Sequence, residues 1–109
     1  MRFQLAVWCA IFALAVAVPA RAEELTIALA VRGEGFEPAR IAAPPGSRIR
    51  LEVTNQTAGA IEFESFELNR ERVIQSGQTV TVYVSGLSAG QYEFFDDFNQ
   101  ARRGVLAVE

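Results

Sequence analysis

This 109-residue chain contains no histidine and no lysine, and its only methionine, tryptophan and cysteine are Met1, Trp8 and Cys9. Residues 23–109 therefore contain none of these five residue types. A domain without cysteine or histidine can form no disulfide and offers no thiol nucleophile or imidazole base. The same absence excludes zinc sites built on thiolate or imidazole ligands. It also excludes a blue-copper centre, which requires two histidines and a cysteine.

Positive charge is also scarce. Taking Arg2 and Arg21 from the 10 basic residues leaves 8 against 13 acidic residues, so residues 23–109 carry a net charge of −5. An acidic surface without a basic stripe argues against nucleic-acid binding. A segment of this length can bury one small core but not two, so we expect a single domain.

The first 22 residues have the three parts of a secretory signal peptide. Met1-Arg2 is a basic start, residues 3–18 are apolar with one interruption, and Ala20-Arg21-Ala22 is a small-x-small cleavage sequence. The alternative is a membrane anchor, but the apolar run is short of the ~20 residues that a spanning helix needs. We therefore expect cleavage after Ala22 and export of residues 23–109 to the periplasm.

Apolar and polar residues alternate through most of residues 23–109, with the period of two that half-buried strands show. Examples are residues 25–31, 49–53 and 80–84, and clusters of Gly, Pro, Asn and Ser separate such segments. Six or seven short strands predict an all-β protein, an antiparallel Greek-key sandwich or small barrel. Tyr92, two residues after Gly90, predicts a tyrosine corner, in which the hydroxyl bonds upstream backbone.

Acidic residues concentrate in two segments rich in phenylalanine, residues 61–71 and 92–99. Carboxylate oxygens select hard cations such as iron(III), manganese, calcium or magnesium. An apolar collar of phenylalanines around them would raise their pKa values and strengthen their hold on a cation. The alternative is that the phenylalanines form the core while the acids lie on a solvated face and pair with nearby arginines.

Several segments resemble a known family. Phe36-Glu37-Pro38, then Pro45-Gly46 before a strand ending at Asn55, resembles the opening of cupredoxin-like domains. Later segments resemble one branch, the small periplasmic cupredoxin-like proteins of bacterial iron-uptake systems; these segments are residues 62–65, 70–71, 90–98 and 104–106. The resemblance covers about residues 25–109. It implies a cupredoxin-like Greek-key sandwich over residues 23–109 that takes part in iron delivery beside a permease.

The resemblance also implies metal ligands. Glu64, Glu71 and Asp97 match motif positions and are the predicted ligands, whereas Glu67 and Asp96 are added only because they lie nearby. The family's Phe-Phe-Asp-x-Phe-His motif corresponds to residues 94–99, but Asn99 replaces the histidine. An amide oxygen binds transition metals far more weakly than imidazole does, so we expect iron rather than copper as the bound metal.

Three functions remain open at this point. The first is a non-enzymatic protein that binds iron or passes it to a permease or other membrane component of an uptake system. The second is a copper-dependent ferrous-iron oxidase component, against which the lack of His and Cys after residue 22 argues. The third is a metal-free structural docking module. The residues leave the oligomeric state open, a homodimer included.

Overall fold

A computed structural model describes residues 24–109 and six separate earlier positions, namely 4, 6, 10, 11, 13 and 15. The predicted signal peptide thus lies largely outside the described residues. Within them no helix is long and apolar enough to span a membrane. The described residues form nine strands: β1 Glu24–Arg32, β2 Gly35–Glu37, β3 Arg40–Ala43, β4 Arg48–Asn55, β5 Ile61–Ser65, β6 Arg70–Ile74, β7 Thr79–Ser85, β8 Gly90–Asp96 and β9 Asn99–Val108.

The strands form two packed sheets, as the alternation predicts. One sheet has four strands in the order β2-β1-β4-β7, and the other has five in the order β3-β9-β8-β5-β6. Alternate residues of the strands meet between the sheets; in β4, Ile49, Leu51 and Val53 are buried while their neighbours are exposed or half-buried. The all-β sandwich predicted from the sequence is confirmed.

The core between the sheets is centred on three aromatic rings. Phe36 and Phe94 meet edge to face with ring centroids 4.9 Å apart, and Phe63 stacks on Phe94 at 5.4 Å. Gly104 lies opposite Phe94 on the neighbouring strand, and a Cβ at Gly104 would overlap the Phe94 ring. Glycine is therefore required at position 104 because the aromatic ring occupies the space of a side chain.

Two strand pairs are parallel, which the expectation of an antiparallel sandwich did not include. β1 runs parallel to β4, and β3 runs parallel to β9. The cause is a crossing between the sheets, because β2 belongs to one sheet and β3 to the other with only Pro38 and Ala39 between them. When the chain returns to the first sheet as β4, it lies beside β1 in the same direction.

Side-chain hydrogen bonds hold two turns, and the first confirms the predicted tyrosine corner. The Tyr92 hydroxyl donates to the carbonyl of Ser88 at 2.8 Å, which forms the tyrosine corner. Asn55, fully buried, accepts from the Thr57 N–H and donates to the carbonyls of Gly59 and Ile74. A buried amide with its hydrogen bonds satisfied fixes the end of β4 at low cost.

We predict that Leu51→Asp unfolds the domain. Leu51 is completely buried, and an unpaired buried charge costs several kcal/mol out of a typical total stability of about 5–15 kcal/mol. Thr54→Asp is the matched control, because Thr54 is half-buried on the opposite face of the same strand. Far-ultraviolet circular dichroism and a thermal melt compare them. A cooperative melt of Leu51→Asp near that of the control would contradict this account of the core.

Candidate metal centre

β5 carries the first two acidic side chains of the site. Ile61 and Phe63 are buried in the core, so the alternation of the strand places Glu62 and Glu64 together on the outer face of the five-stranded sheet. Glu64 is half-buried and Glu62 only 9 % exposed. Two carboxyls two residues apart on one strand are thus held on the same side, close together.

Two further acids come from neighbouring parts of the sheet. Glu71 on β6 lies directly opposite Glu64. Asp97, in the turn between β8 and β9, donates its backbone N–H to the carbonyl of Glu62 at 2.9 Å. Carboxylate oxygens of Glu62, Glu64 and Asp97 all lie within 4.8 Å of one another. These four residues, Glu62, Glu64, Glu71 and Asp97, form what we call the carboxylate cluster.

The crowding of the cluster favours protonation of Glu62. A hydrogen bond to the Glu71 carboxyl, followed by burial and the nearby negative charges, raises the pKa of Glu62 from its ordinary 4.5 to about 7. Near neutral pH this side chain therefore exchanges between a carboxylic acid that donates a hydrogen bond and a carboxylate. A group that titrates in this range responds to the arrival of a cation by releasing its proton.

Glu64 is affected in the same direction. Burial raises its pKa first, and the negative charges of Asp97 and Glu71 raise it further, while the hydrogen bond with Glu62 acts in the opposite direction. Burial and the neighbouring negative charges thus favour the neutral form of both Glu62 and Glu64.

No arginine neutralises the cluster in the part of the chain that the structure describes. The ion pairs there are Arg32–Glu37, Arg50–Glu52 and Arg102–Asp96, none of which includes a cluster residue. The two arginines on β6 point elsewhere, because Arg70 donates to the Tyr83 carbonyl and Arg72 to that of Thr81. The alternative in which nearby arginines pair with the acids is therefore borne out for Asp96, which pairs with Arg102, but not for the four carboxyls of the cluster.

The two acids predicted from proximity alone lie outside the cluster. Asp96 is completely buried, accepts from the backbone N–H groups of Glu62 and Phe98, and forms an ion pair with Arg102. Its two oxygens are thus taken up by protein donors. Glu67 is exposed in the loop after β5 and lines a surface depression with Glu93 and Arg103, apart from the four carboxyls.

The expected collar of phenylalanines around the carboxylates is only partly present. Phe63 and Phe94 face the opposite side of the sheet and belong to the core, as the alternative interpretation had it. Phe95 is on the same face as its cross-strand neighbour Glu64, whereas Phe66 and Phe98 are 76 % and 57 % exposed. The sequence predicts more phenylalanines around the carboxylates than the structure has, because a count of phenylalanines does not say which face of a strand each one occupies.

Glu62 is the cluster residue that was not among the predicted ligands. The signal was available, because a residue two positions before Glu64 on a strand shares its face. Its low exposure depends on the β8–β9 turn packing against it, a contact between residues 34 or more apart that the local pattern does not contain. Asn99, at the motif's histidine position, is exposed at the start of β9 in the same turn.

The donor atoms restrict the metals that this cluster suits. Every side-chain ligand in it is a carboxylate oxygen, which hard cations prefer. Copper in a blue-copper centre is bound by two imidazoles and a thiolate, and residues 23–109 contain neither group. The chain does not fit that kind of copper site.

Comparison with known proteins agrees with this architecture. A family model described as a cupredoxin-like domain matches residues 4–108. An uncharacterized protein of Rickettsia prowazekii (strain Madrid E) is 30 % identical over 85 residues, which are 77 % of this chain and 68 % of that protein.

Solved structures share the fold at low sequence identity. The metal-binding domain of the Cu(I)-exporting P-type ATPase CopA of Streptococcus pneumoniae D39, solved with Cu(I), superposes with a TM-score of 0.71 at 15 % identity, covering 83 % of this chain and 90 % of that one. Auracyanin A, a blue copper protein of Chloroflexus aurantiacus, gives 0.67 at 14 % identity, covering 79 % and 99 %. With two packed sheets, a tyrosine corner and a family match over nearly its whole length, the chain belongs to the cupredoxin-like domain family.

Proposed function

We propose that this protein is a periplasmic, non-enzymatic component of an iron-uptake system, which binds a ferric or other hard cation and passes it to a membrane permease. The observation that carries the proposal is the meeting of Glu62, Glu64 and Asp97 within 4.8 Å on one face of the sandwich. The cation is the cargo of this protein and not a permanent part of its fold.

The electrostatics of the cluster support a cation as its missing partner. Carboxylates brought this close repel one another, and the raised pKa values of Glu62 and Glu64 express that repulsion. Among residues 24–109 no arginine forms an ion pair with the cluster. The arginines of β6 donate to backbone carbonyls instead. A bound cation would relieve the repulsion and displace any proton on these carboxyls.

The exposure of the cluster suits transfer better than permanent storage. Glu71 and Asp97 are exposed and Glu64 is half-buried, so one side of the cluster faces solvent. A cation held there keeps positions open for water or for ligands of a second protein. An open site of this kind can accept and release its cargo without unfolding of the sandwich.

A second candidate function is docking without metal. Its support is the pair of exposed rings, Phe66 and Phe98, beside the acidic residues. Exposed aromatic side chains are common anchors in protein interfaces. A copper-dependent oxidase is not proposed, because residues 23–109 offer copper neither imidazole nor thiolate.

The raised pKa of Glu62 predicts a defined effect of pH on stability. Because its pKa is about 7 in the folded protein and ordinarily 4.5, folding retains a proton on Glu62 between these values. The stabilising effect of this proton is complete below about pH 4.5 and is lost as the pH rises through 7. Glu62→Gln keeps a donor at this position without titrating. We therefore expect it to stabilise the protein more at pH 8 than at pH 5.

Urea denaturation at several pH values between 5 and 8 tests this expectation. Glu37→Gln is the control, because Glu37 is exposed in a surface ion pair with Arg32. The difference in free energy of unfolding between Glu62→Gln and wild type should increase with pH, whereas that of the control should not increase in the same way. A difference for Glu62→Gln that does not change with pH would show that the carboxyl is not perturbed as described.

The proposed function predicts that Glu64→Gln combined with Asp97→Asn abolishes binding of manganese(II), a redox-stable substitute for iron. The double change removes two oxygen ligands and also removes repulsion, so the fold should remain intact or become slightly more stable. Isothermal titration calorimetry measures binding, and affinity for wild type should fall as the pH drops.

The matched control is Glu24→Gln with Glu52→Gln. It changes the net charge equally, but both residues lie on the four-stranded sheet, away from the cluster. The control should bind manganese like wild type. Equal heats from wild type and from Glu64→Gln/Asp97→Asn would end the assignment of the metal to these residues, and no binding by wild type at all would favour the docking function.

A further inference from the structure

The turn that delivers Asp97 to the cluster is short and internally bonded. Only Asp97 and Phe98 separate β8 from β9, and the pairing of the strands is irregular just before it, between Phe95 and Asp96. The Phe98 N–H donates to the Asp96 carboxylate at 3.0 Å, an Asx-type bond that shapes the turn. The conformation of the turn therefore depends on the side chain of Asp96.

Asp96 also holds the backbone of the residue at the centre of the cluster. Its Oδ1 accepts from the N–H of Glu62 at 2.9 Å, and the N–H of the next residue, Asp97, donates to the Glu62 carbonyl at 2.9 Å. Two consecutive residues of the turn thus bond both polar groups of the Glu62 peptide backbone. These bonds hold the backbone of Asp97 beside that of Glu62.

Arg102 on β9 completes this arrangement. Its Nη1 donates to Oδ2 of Asp96 at 3.0 Å, and its Nε donates to the carbonyl of Gly33, in the β1–β2 turn of the other sheet, at 3.4 Å. The Asp96 side chain is fully buried and that of Arg102 is 17 % exposed. A buried charge pair with these additional bonds has a defined geometry, unlike a surface pair between mobile side chains.

We propose that Asp96 and Arg102 are a positioning pair that holds Asp97 in the carboxylate cluster for cation binding. Neither residue contacts the cation. Asp96 sets the turn and its bond to Glu62, and Arg102 keeps the Asp96 carboxylate in place. The proposal rests on the proposed metal-binding function, which it deepens by adding residues that act through Asp97.

The charge of Arg102 makes the proposal separable from simple electrostatics. Removing a positive charge near a cation site should by Coulomb's law tighten cation binding. Loss of a positioning residue should weaken it, by about 10- to 100-fold, the usual effect of changing the groups that orient metal ligands. The two explanations therefore predict opposite signs for Arg102→Gln.

The experiment is a titration of manganese(II) into wild type, Arg102→Gln and Arg103→Gln. Arg103 is the neighbouring residue on β9 and lies over the Phe95 ring instead of bonding Asp96. Arg103→Gln therefore removes the same charge without removing a bond to Asp96. Arg102→Gln should weaken binding by at least about tenfold, and Arg103→Gln should leave it unchanged or tighter. Unchanged or tighter binding by folded Arg102→Gln would overturn the proposal.

Arg102→Lys provides a second variant if Arg102→Gln does not fold. Lysine keeps the charge but cannot bond Asp96 and Gly33 at once with a planar fork. Electrostatics alone then predicts unchanged affinity, whereas positioning predicts weaker binding. Wild-type affinity in Arg102→Lys, together with unchanged turn exchange in the measurement below, would overturn the proposal.

A measurement without metal separates this proposal from the proposed function. Amide hydrogen exchange followed by nuclear magnetic resonance should show faster exchange at Glu62, Asp97 and Phe98 in the Arg102 variants, by more than any change at the amide of core residue Leu51, which reports global stability. If wild type binds no manganese, the proposed function fails while faster exchange still supports the positioning role. Unchanged exchange at these three amides would overturn the positioning role, whatever the metal result.

Discussion

The strict alternation of β5 is the constraint on which both the core and the carboxylate cluster depend. Ile61 and Phe63 fill the space between the sheets, and the residues between and beside them, Glu62 and Glu64, are therefore forced onto the outer face. A shift of one residue in this strand would bury the acids and expose the rings. The energy that keeps the carboxyls together is thus supplied by burial of the apolar residues next to them in the sequence.

The cluster is an unfavourable arrangement that the fold tolerates. Repulsion and burial raise the pKa values of Glu62 and Glu64, and the described arginines that could reduce the repulsion bond other groups. By contrast, the buried side chains of Asn55 and Asp96 have hydrogen-bond partners in the protein. Carboxyls with strongly raised pKa values are characteristic of functional sites.

Much of the fold and part of the cluster could be predicted from local sequence patterns. Alternation located most strands, and the Gly90-x-Tyr92 spacing located the tyrosine corner. Glu64 and Asp97 are predicted ligands and lie together in the structure. Their role as ligands stays a prediction.

What could not be predicted depends on contacts between distant parts of the chain. The parallel pairing of β1 with β4 follows from the crossing between sheets, which no local pattern contains. Asp96 and Asp97 are adjacent and chemically alike, yet one is buried against Arg102 and the other is exposed in the cluster. The irregular pairing before Asp96 separates their roles, and two adjacent aspartates in a sequence give no sign of it.

We propose that this cupredoxin-like sandwich carries a hard cation on carboxylates and not copper. The most direct test is elemental analysis, by inductively coupled plasma mass spectrometry, of the protein purified from the cells that produce it, without added metal or chelator. We expect iron or manganese to accompany the protein. Copper as the accompanying metal, or no metal at all, would contradict it.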